Sequence, residues 1–109
     1  MSWTVEFLKE AENDLSKLDG SVRKQVLKGI IKVCQNPLPA DQGGYGKPLG
    51  NRSGNDLSGL LKIKFKKIGI RVVYKNQLVD NVMRVIIISA RSDNQVYNEA
   101  LARRKKHAL

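Results

Sequence analysis

The sequence predicts an α+β fold in which two N-terminal antiparallel helices pack on a small, mainly antiparallel, twisted sheet, in the order β-α-α-β-β-β-α. Three patterns indicate this fold: a strand-like alternation at the start, two apolar stripes at helical spacing after it, and an alternating apolar and basic run in the second half. A chain of 109 residues can bury a hydrophobic core without disulfides or metal ions, so we expect a single domain over residues 1–109. Its C-terminus, from about residue 102 to residue 109, is predicted to be a basic tail.

The first part of the chain is predicted to be one strand and two helices. Trp3, Val5 and Phe7 alternate with polar residues, as in a strand. Apolar residues then recur at helical spacing, first at Leu8, Ala11, Leu15 and Leu18, then at Val22, Val26, Ile30 and Val33. We expect Gly20 to end the first helix and Ser21 to cap the second. Helices joined by so short a turn should pack as an antiparallel hairpin on one face of the sheet.

The remaining boundaries are marked by turn and cap residues. Residues 36–39 (NPLP) stop the second helix, and residues 40–59, rich in Gly, Asn, Asp and Ser, are predicted to form a long loop. Residues 82–90 are nearly all apolar, which predicts a central strand. Ser92 followed by Gln95 fits a capping box that opens a third helix.

The run from residue 60 to residue 74, LLKIKFKKIGIRVVY, is predicted to be a hairpin that turns at Gly69. Its register follows from placing apolar residues side by side, because a slip of one residue would turn every side chain to the wrong face. The pairs are then Phe65 with Ile70, Ile63 with Val72, and Leu61 with Tyr74. This register also places Lys64 opposite Arg71, with Lys62 diagonal to Arg71.

Like charges that face each other across two strands are unfavourable, so this cluster of cations calls for an explanation. One interpretation is a solvated outer face that is rich in lysine; the other is a site for a polyanion. Residues 1–59 hold eight Lys/Arg and seven Asp/Glu, whereas residues 60–109 hold twelve and three. The net charge of +10 is therefore concentrated around the hairpin, as expected of a nucleic-acid footprint. Charge alone leaves an acidic protein or a membrane surface open as the partner.

Several classes of site are disfavoured by composition. The single cysteine, Cys34, excludes an internal disulfide and a Cys-based metal site, and its place in an apolar helical pattern predicts a buried thiol. The single histidine, His107, lies near the end of the chain, which argues against a His-dependent triad or a zinc site. We expect no metal and no cofactor. No apolar run approaches the roughly 20 residues of a membrane span, and the N-terminus is unlike a signal peptide, so a cytoplasmic location is expected.

Several motifs in order carry a resemblance that covers nearly the whole chain. They are W-x-V-x-F, A-x-x-D-L-x-K-L-D, N-P, G-K-P-L, K-I-K, G-I-R-x-V-Y, A-R and V-Y-x-E-A. This arrangement resembles the RelE family of toxins from bacterial type II toxin–antitoxin systems. The resemblance implies a RelE-like fold and a ribosome-dependent endonuclease that enters the ribosomal A site, cuts the mRNA codon there and inhibits translation. It also implies a cognate antitoxin protein as partner.

The resemblance implies the catalytic residues Lys62, Lys64, Arg71, Arg91 and Tyr97. Related branches leave alternatives open. ParE-type relatives keep the fold, poison DNA gyrase and lack the basic set, and a YoeB-like branch uses a Glu and a His that His107 does not match. Ala90 stands where many RelE members carry a basic residue. A third alternative is a basic nucleic-acid-binding module without catalysis.

Cleavage of RNA by its own 2′-OH requires a base, stabilisation of the charged phosphorane and a proton for the leaving 5′ oxygen. Clustered lysines push one another toward the neutral form, so one of them can act as a base. We assign Lys64 and Arg71 to the transition-state phosphate and Lys62 to the base. Arg91 would supply the leaving-group proton or clamp phosphate, and Tyr97 would stack on or orient a base of the codon. Such a site is weak alone and needs the ribosome to bend the mRNA.

Overall fold

The computed structural model describes residues 3–52 and 55–109. The predicted order of the main elements is confirmed, with short strands added between the second helix and the hairpin. The elements in chain order are β1 (Thr4–Phe7), α1 (Lys9–Ser16), α2 (Gly20–Cys34), a 3-10 turn (Ala40–Gln42), β2 (Lys47–Pro48), β3 (Asn51–Arg52), β4 (Asn55–Asp56), β5 (Leu60–Phe65), β6 (Ile70–Gln77), β7 (Val82–Ser89) and α3 (Asp93–Lys106).

The main sheet has five strands in the order β1-β7-β6-β5-β2. Strand β1 runs parallel to β7, whereas the other three pairs are antiparallel. Strands β3 and β4 form a separate two-stranded ladder. The predicted α+β class with a mainly antiparallel sheet is therefore confirmed.

The predicted register of the β5–β6 hairpin is also confirmed. Leu61 lies opposite Tyr74, and Lys64 lies opposite Arg71. Lys62 faces Val73, which makes it diagonal to Arg71. Gly69 closes the turn with φ of +67°, a conformation that favours glycine.

Helices α2 and α3 lie on opposite faces of this hairpin. On the apolar face, α2 approaches so closely that a Cβ at Gly29 would lie 2.3 Å from the Phe65 ring. On the basic face, α3 contacts β6 and β7 and buries Val96 and Ala100 completely. The central strands therefore have apolar cover on both sides, which explains why Val72 and Val73, successive residues of β6, are both fully buried.

The predicted caps between α1 and α2 are wrong. Gly20 is the first residue of α2 rather than a cap, and Asp19 is the N-cap. The Asp19 carboxylate accepts hydrogen bonds from the Ser21 hydroxyl at 2.6 Å and the Ser21 N–H at 3.3 Å, which lower the pKa of Asp19. Helix α1 ends at Ser16, and the Arg23 guanidinium donates hydrogen bonds to its terminal carbonyls, including that of Leu15 at 3.2 Å.

Of residues 40–59, which were predicted to be a long loop, residues 53 and 54 lie outside the described part of the chain, and the others include a 3-10 turn and the short strands β2, β3 and β4. Lys47 pairs with Lys62 and Pro48 with Leu61, so β2 extends the main sheet beyond β5. The segment is anchored before β2 as well, because a Cβ at Gly46 would lie only 2.4 Å from the Tyr74 hydroxyl oxygen. A pairing of two residues has no sequence periodicity, so no pattern could have predicted it.

The residues predicted as a basic tail are helical as far as Lys106. The side chain of Arg103 is only 13% exposed, and it forms an ion pair with Asp14 of α1 at 2.6 Å. Arg104 donates a hydrogen bond to the Ser58 carbonyl at 2.7 Å. The basic run therefore fastens α3 to other elements. In residues 3–52 and 55–109, no helix is both long and apolar enough to cross a membrane.

Candidate active site

The predicted site residues converge on the face of the sheet that α3 partly covers. Lys62 and Lys64 lie two residues apart on β5, so their side chains leave the same face. Arg71 faces Lys64 from β6. Arg91 follows β7, and Tyr97 lies in the second turn of α3, which returns over the hairpin. We call the three hairpin cations Lys62, Lys64 and Arg71 the cation cluster.

An acidic residue that the sequence analysis missed lies between two of these cations. The Nζ atom of Lys64 is 3.4 Å from Oδ2 of Asp93, and the Arg71 guanidinium forms an ion pair with Oδ1 of the same carboxylate. The charge repulsion between Lys64 and Arg71 is therefore offset within the chain. The available signal was the position of Asp93 in the first turn of the helix that begins just after Arg91.

Asp93 is held in its charged form by its neighbours. Partial burial favours the neutral acid, but hydrogen bonds from Arg71 and Lys64 outweigh this effect and lower the pKa of Asp93 below its usual value. Because the pKa is lowered in the folded chain, the stability that Asp93 contributes is fully present above the unfolded pKa of about 3.9. It is lost as the pH falls through the folded pKa.

The lowered pKa of Asp93 predicts how the stability of the protein depends on pH. At pH 7 we expect Asp93→Asn to lower the melting temperature by a few degrees, because two partly exposed ion pairs are lost. The difference between wild type and variant should shrink as the pH is lowered from about 4 toward 2, where the wild-type carboxyl is also neutral. Thermal unfolding followed by circular dichroism at each pH measures it. A difference that stays constant over this range would contradict the assigned ion pairs.

Lys62 and Tyr97 form a second group in the site. The Lys62 ammonium donates a hydrogen bond to the Tyr97 hydroxyl at 3.3 Å and lies 5.7 Å from the centre of the ring. Tyr97 is only 3% exposed, so its ring packs between α3 and the sheet. In this arrangement the ring is covered and does not offer a face on which an RNA base can stack.

Arg91 is the most exposed of the predicted site residues, with 66% of its side chain accessible. Its guanidinium lies 3.6 Å from the Glu99 carboxylate on α3. Its carbonyl oxygen accepts a hydrogen bond from the Arg71 guanidinium at 2.9 Å. The backbone of Arg91 thus orients Arg71, while its side chain is directed toward the helix.

Open space lies beside Lys64 and Arg71. A groove of about 190 Å³ runs over the turn of the hairpin, and its lining includes Lys64, Lys66 and Arg71. Lysine and arginine bind phosphate oxygens by charge-assisted hydrogen bonds, so the groove can receive a phosphodiester. Within the described part of the chain, no three His, Cys, Asp or Glu side chains lie close enough to share a metal ion.

Fold and site together define a class: a small α+β domain whose antiparallel hairpin presents a cation cluster beneath a C-terminal helix. The sequence model of the family described as "ParE toxin of type II toxin-antitoxin system, parDE" matches residues 5–94. The mRNA interferase toxin RelE of Escherichia coli K12 is 30% identical over 108 residues, covering 94% of this chain and 98% of the relative. The chain belongs to the RelE/ParE superfamily of toxins.

Solved structures agree with this assignment. A double mutant of the E. coli toxin RelE in the free state matches with a TM-score of 0.71 and 27% identity, over 94% of this chain and 98% of that one. A RelE mutant in complex with a peptide of the antitoxin RelBc matches with a TM-score of 0.66 and 26% identity, over 92% and 95% of the two chains.

Proposed function

We propose that this protein is the toxin of a type II toxin–antitoxin system and that it cleaves mRNA in the A site of the ribosome through attack of the 2′-OH. The observation that carries the proposal is the facing pair Lys64 and Arg71 beside an open groove. A relative also supports the proposal: this chain is 30% identical to a protein named mRNA interferase toxin RelE.

Lys64 and Arg71 would bind the two non-bridging oxygens of the scissile phosphate. Negative charge grows on these oxygens as the 2′ oxygen attacks, so donors that are already in place lower the barrier. Arg71 is held from behind by the Arg91 carbonyl at 2.9 Å, which fixes the direction of its guanidinium. This arrangement supports a role in the transition state more strongly than a general attraction for RNA.

The other three residues are assigned by their surroundings. Lys62 is proposed as the base: its neutral amine would take the proton of the 2′-OH and become an ammonium group, with the Tyr97 hydroxyl 3.3 Å away to orient it or relay the proton. Because the ring of Tyr97 is covered, we favour this orienting role over stacking on a codon base. Arg91 is proposed mainly as a phosphate clamp, since a guanidinium group holds its proton too tightly to be a good acid.

The proposed need for the ribosome follows from what the site offers. RNA-binding modules that read single strands usually stack bases on aromatic side chains. Here Tyr97 is covered, and Phe65, the aromatic residue in the lining of the groove, packs its ring against Gly29 of α2. The other lining residues are Lys64, Lys66, Gly69, Ile70 and Arg71. Such a groove binds backbone without fixing an in-line geometry, so we propose that the ribosome supplies that geometry.

A cognate antitoxin is the proposed regulatory partner. A solved structural relative is a RelE mutant bound to an antitoxin peptide. The second half of this chain, with twelve Lys/Arg against three Asp/Glu, would attract acidic residues of such a partner. The proposed reaction would take place in the cytoplasm, where mRNA is translated.

Inhibition of DNA gyrase is the second candidate, because the matching family model is described by the ParE toxin. The two candidates separate in a purified translation system in which primer extension maps cuts on a defined mRNA, with and without ribosomes. Cuts only in the presence of ribosomes are expected. Inhibition of gyrase supercoiling without any mRNA cut would favour the second candidate, and RNA binding without either effect would favour a non-catalytic module.

A further inference from the structure

We propose that Asp93 is a built-in competitor of the RNA phosphate: its carboxylate occupies the place between Lys64 and Arg71 that a phosphodiester takes, and RNA binds there by displacing it. This inference rests on the proposed function, since it concerns the same cation cluster. It names a residue that limits the affinity of the site for RNA.

The geometry of the Asp93 contacts is that of a bound anion. One oxygen lies 3.4 Å from the Lys64 ammonium, and the other forms the ion pair with the Arg71 guanidinium. A phosphodiester also presents two oxygens that share one negative charge, and both groups are bound by the same donors. The carboxylate and the phosphate therefore cannot occupy the pair of cations together, and their like charges would repel at that distance.

Arg71 and the strand that carries Lys64 have contacts that do not depend on the Asp93 carboxylate. Arg71 keeps its hydrogen bond to the Arg91 carbonyl, which does not involve Asp93. Lys64 lies opposite Arg71 in the ladder between β5 and β6, and β2 pairs with Leu61 and Lys62 earlier on the same strand. The strand pairing and the bond of Arg71 thus keep the two cations side by side without Asp93.

Displacement of Asp93 is structurally easy. About a third of its side chain is exposed, and exposed ion pairs contribute little to stability. Asp93 is the first residue of α3, where a negative charge interacts favourably with the helix dipole even without Lys64 or Arg71. The Ser92 cap does not lock this turn, because its hydroxyl bonds to the Gln95 side chain at 3.2 Å and makes no side-chain bond to the helix backbone.

The consequence is a site that is weak for free RNA. A phosphate that binds between Lys64 and Arg71 must first replace the Asp93 carboxylate. Binding therefore becomes effective where another surface holds the RNA strand in place. The cost of displacing Asp93 lowers affinity for unbound transcripts and for inorganic phosphate in the same way.

The test compares the full-length protein with Asp93→Asn, which keeps the size of the side chain and removes its charge. The probe is a fluorescein-labelled RNA oligonucleotide with 2′-O-methyl riboses, which cannot be cleaved, and binding is followed by anisotropy without ribosomes. We expect Asp93→Asn to bind about three- to tenfold more tightly, and the slope of log K against log salt to steepen by up to about one. Inorganic phosphate should also compete with the RNA probe more strongly on Asp93→Asn than on the wild-type protein.

The matched control is Asp80→Asn, which changes the net charge equally. Asp80 lies in the turn after β6, and Arg71 lies near the start of that strand, so roughly 20 Å of strand separates them. Its affinity should stay within about twofold of wild type. Equal tightening by both variants, or unchanged or weaker binding by Asp93→Asn, would overturn the proposal.

The binding test of Asp93 can fail or succeed independently of the test of the proposed function. Tighter binding by Asp93→Asn supports the inference even if no mRNA is cut in the translation assay, because the probe is never cleaved. Conversely, cleavage that depends on Lys64, together with unchanged binding by Asp93→Asn, would overturn the inference and leave the proposed function in place. Thermal unfolding of each variant at pH 7 verifies that the compared proteins are folded.

Discussion

Substitution of Arg71 by alanine is expected to lower the rate of mRNA cleavage on the ribosome by about 10²–10³. Arg71 lies opposite Lys64, and its guanidinium is fixed by the Arg91 carbonyl at 2.9 Å, so it presents a preset donor to the charge that develops on the phosphate. Lys64→Ala should have an effect of similar size for the same reason. Arg71→Lys should recover only part of the rate, because an ammonium group cannot bind a phosphate in a bidentate manner.

The measurement is the single-turnover rate of cutting on programmed ribosomes with toxin in excess. Lys24→Ala is the matched control: it removes one positive charge from an exposed position on α2, the helix on the opposite face of the hairpin. Its rate should stay within about threefold of wild type if local chemistry dominates. Equal losses of cutting rate from Arg71→Ala and Lys24→Ala would mean that the cation cluster contributes only general electrostatic attraction for RNA.

Removal of the Arg103 side chain is expected to give the largest loss of stability, about 3 kcal/mol in the free energy of unfolding. Strand β1 ends at Phe7, whereas β7 continues to Ser89. The edge of β7 beyond β1 is completed by two side chains. Arg103 donates a hydrogen bond to the Ile86 carbonyl at 2.9 Å, and Asp14 accepts one from the Ile88 N–H at 3.1 Å.

Arg103 and Asp14 also pair with each other at 2.6 Å, and both are largely buried. Burial works against the charged form of Arg103, but the hydrogen bond and charge of Asp14 outweigh it and raise the pKa of Arg103. Arg103→Ala therefore leaves a carboxylate and a carbonyl without their partner.

Urea denaturation of Arg103→Ala and of a matched variant measures this effect. Lys106→Ala removes a cation from the same helix, and its pair with Glu10 is 70% exposed on the lysine side, so its cost should stay below about 0.5 kcal/mol. A loss below about 1 kcal/mol for Arg103→Ala would mean that water replaces the ion pair at the edge of β7.

The parts of the fold that were predictable from sequence are those with strong periodicity. The hairpin register was predictable from alternation with the turn placed at Gly69, because a slip of one residue would have turned every side chain to the wrong face. The short strand β2 was not predictable, since two residues carry no period. The caps around Gly20 were misplaced because Asp19 caps α2, and the end of α1 is capped by Arg23, a contact made across the turn.

The basic residues and Tyr97 of the candidate site were predicted from the sequence, but its acidic residue was not. Lys64 and Arg71 face each other as predicted. The Lys62 ammonium and the Tyr97 hydroxyl, both from predicted site residues, lie 3.3 Å apart. The role of Asp93 depends on how α3 returns over the sheet, which is a tertiary feature without a local signature. The burial of Arg103 was missed for the same reason, because a run of four basic residues looks solvated in sequence.

The proposed reaction depends most directly on the 2′-OH of the mRNA as the nucleophile. Programmed ribosomes carrying an mRNA with a single 2′-deoxynucleotide just before the cut should be resistant to the toxin, while the all-ribose mRNA should be cut to leave a 2′,3′-cyclic phosphate or a 3′-phosphate. This is the result expected when the cation cluster stabilises attack by the 2′-OH. Cutting of the 2′-deoxy mRNA at an equal rate, or a product with a 5′-phosphate and a 3′-OH, would contradict the proposed mechanism.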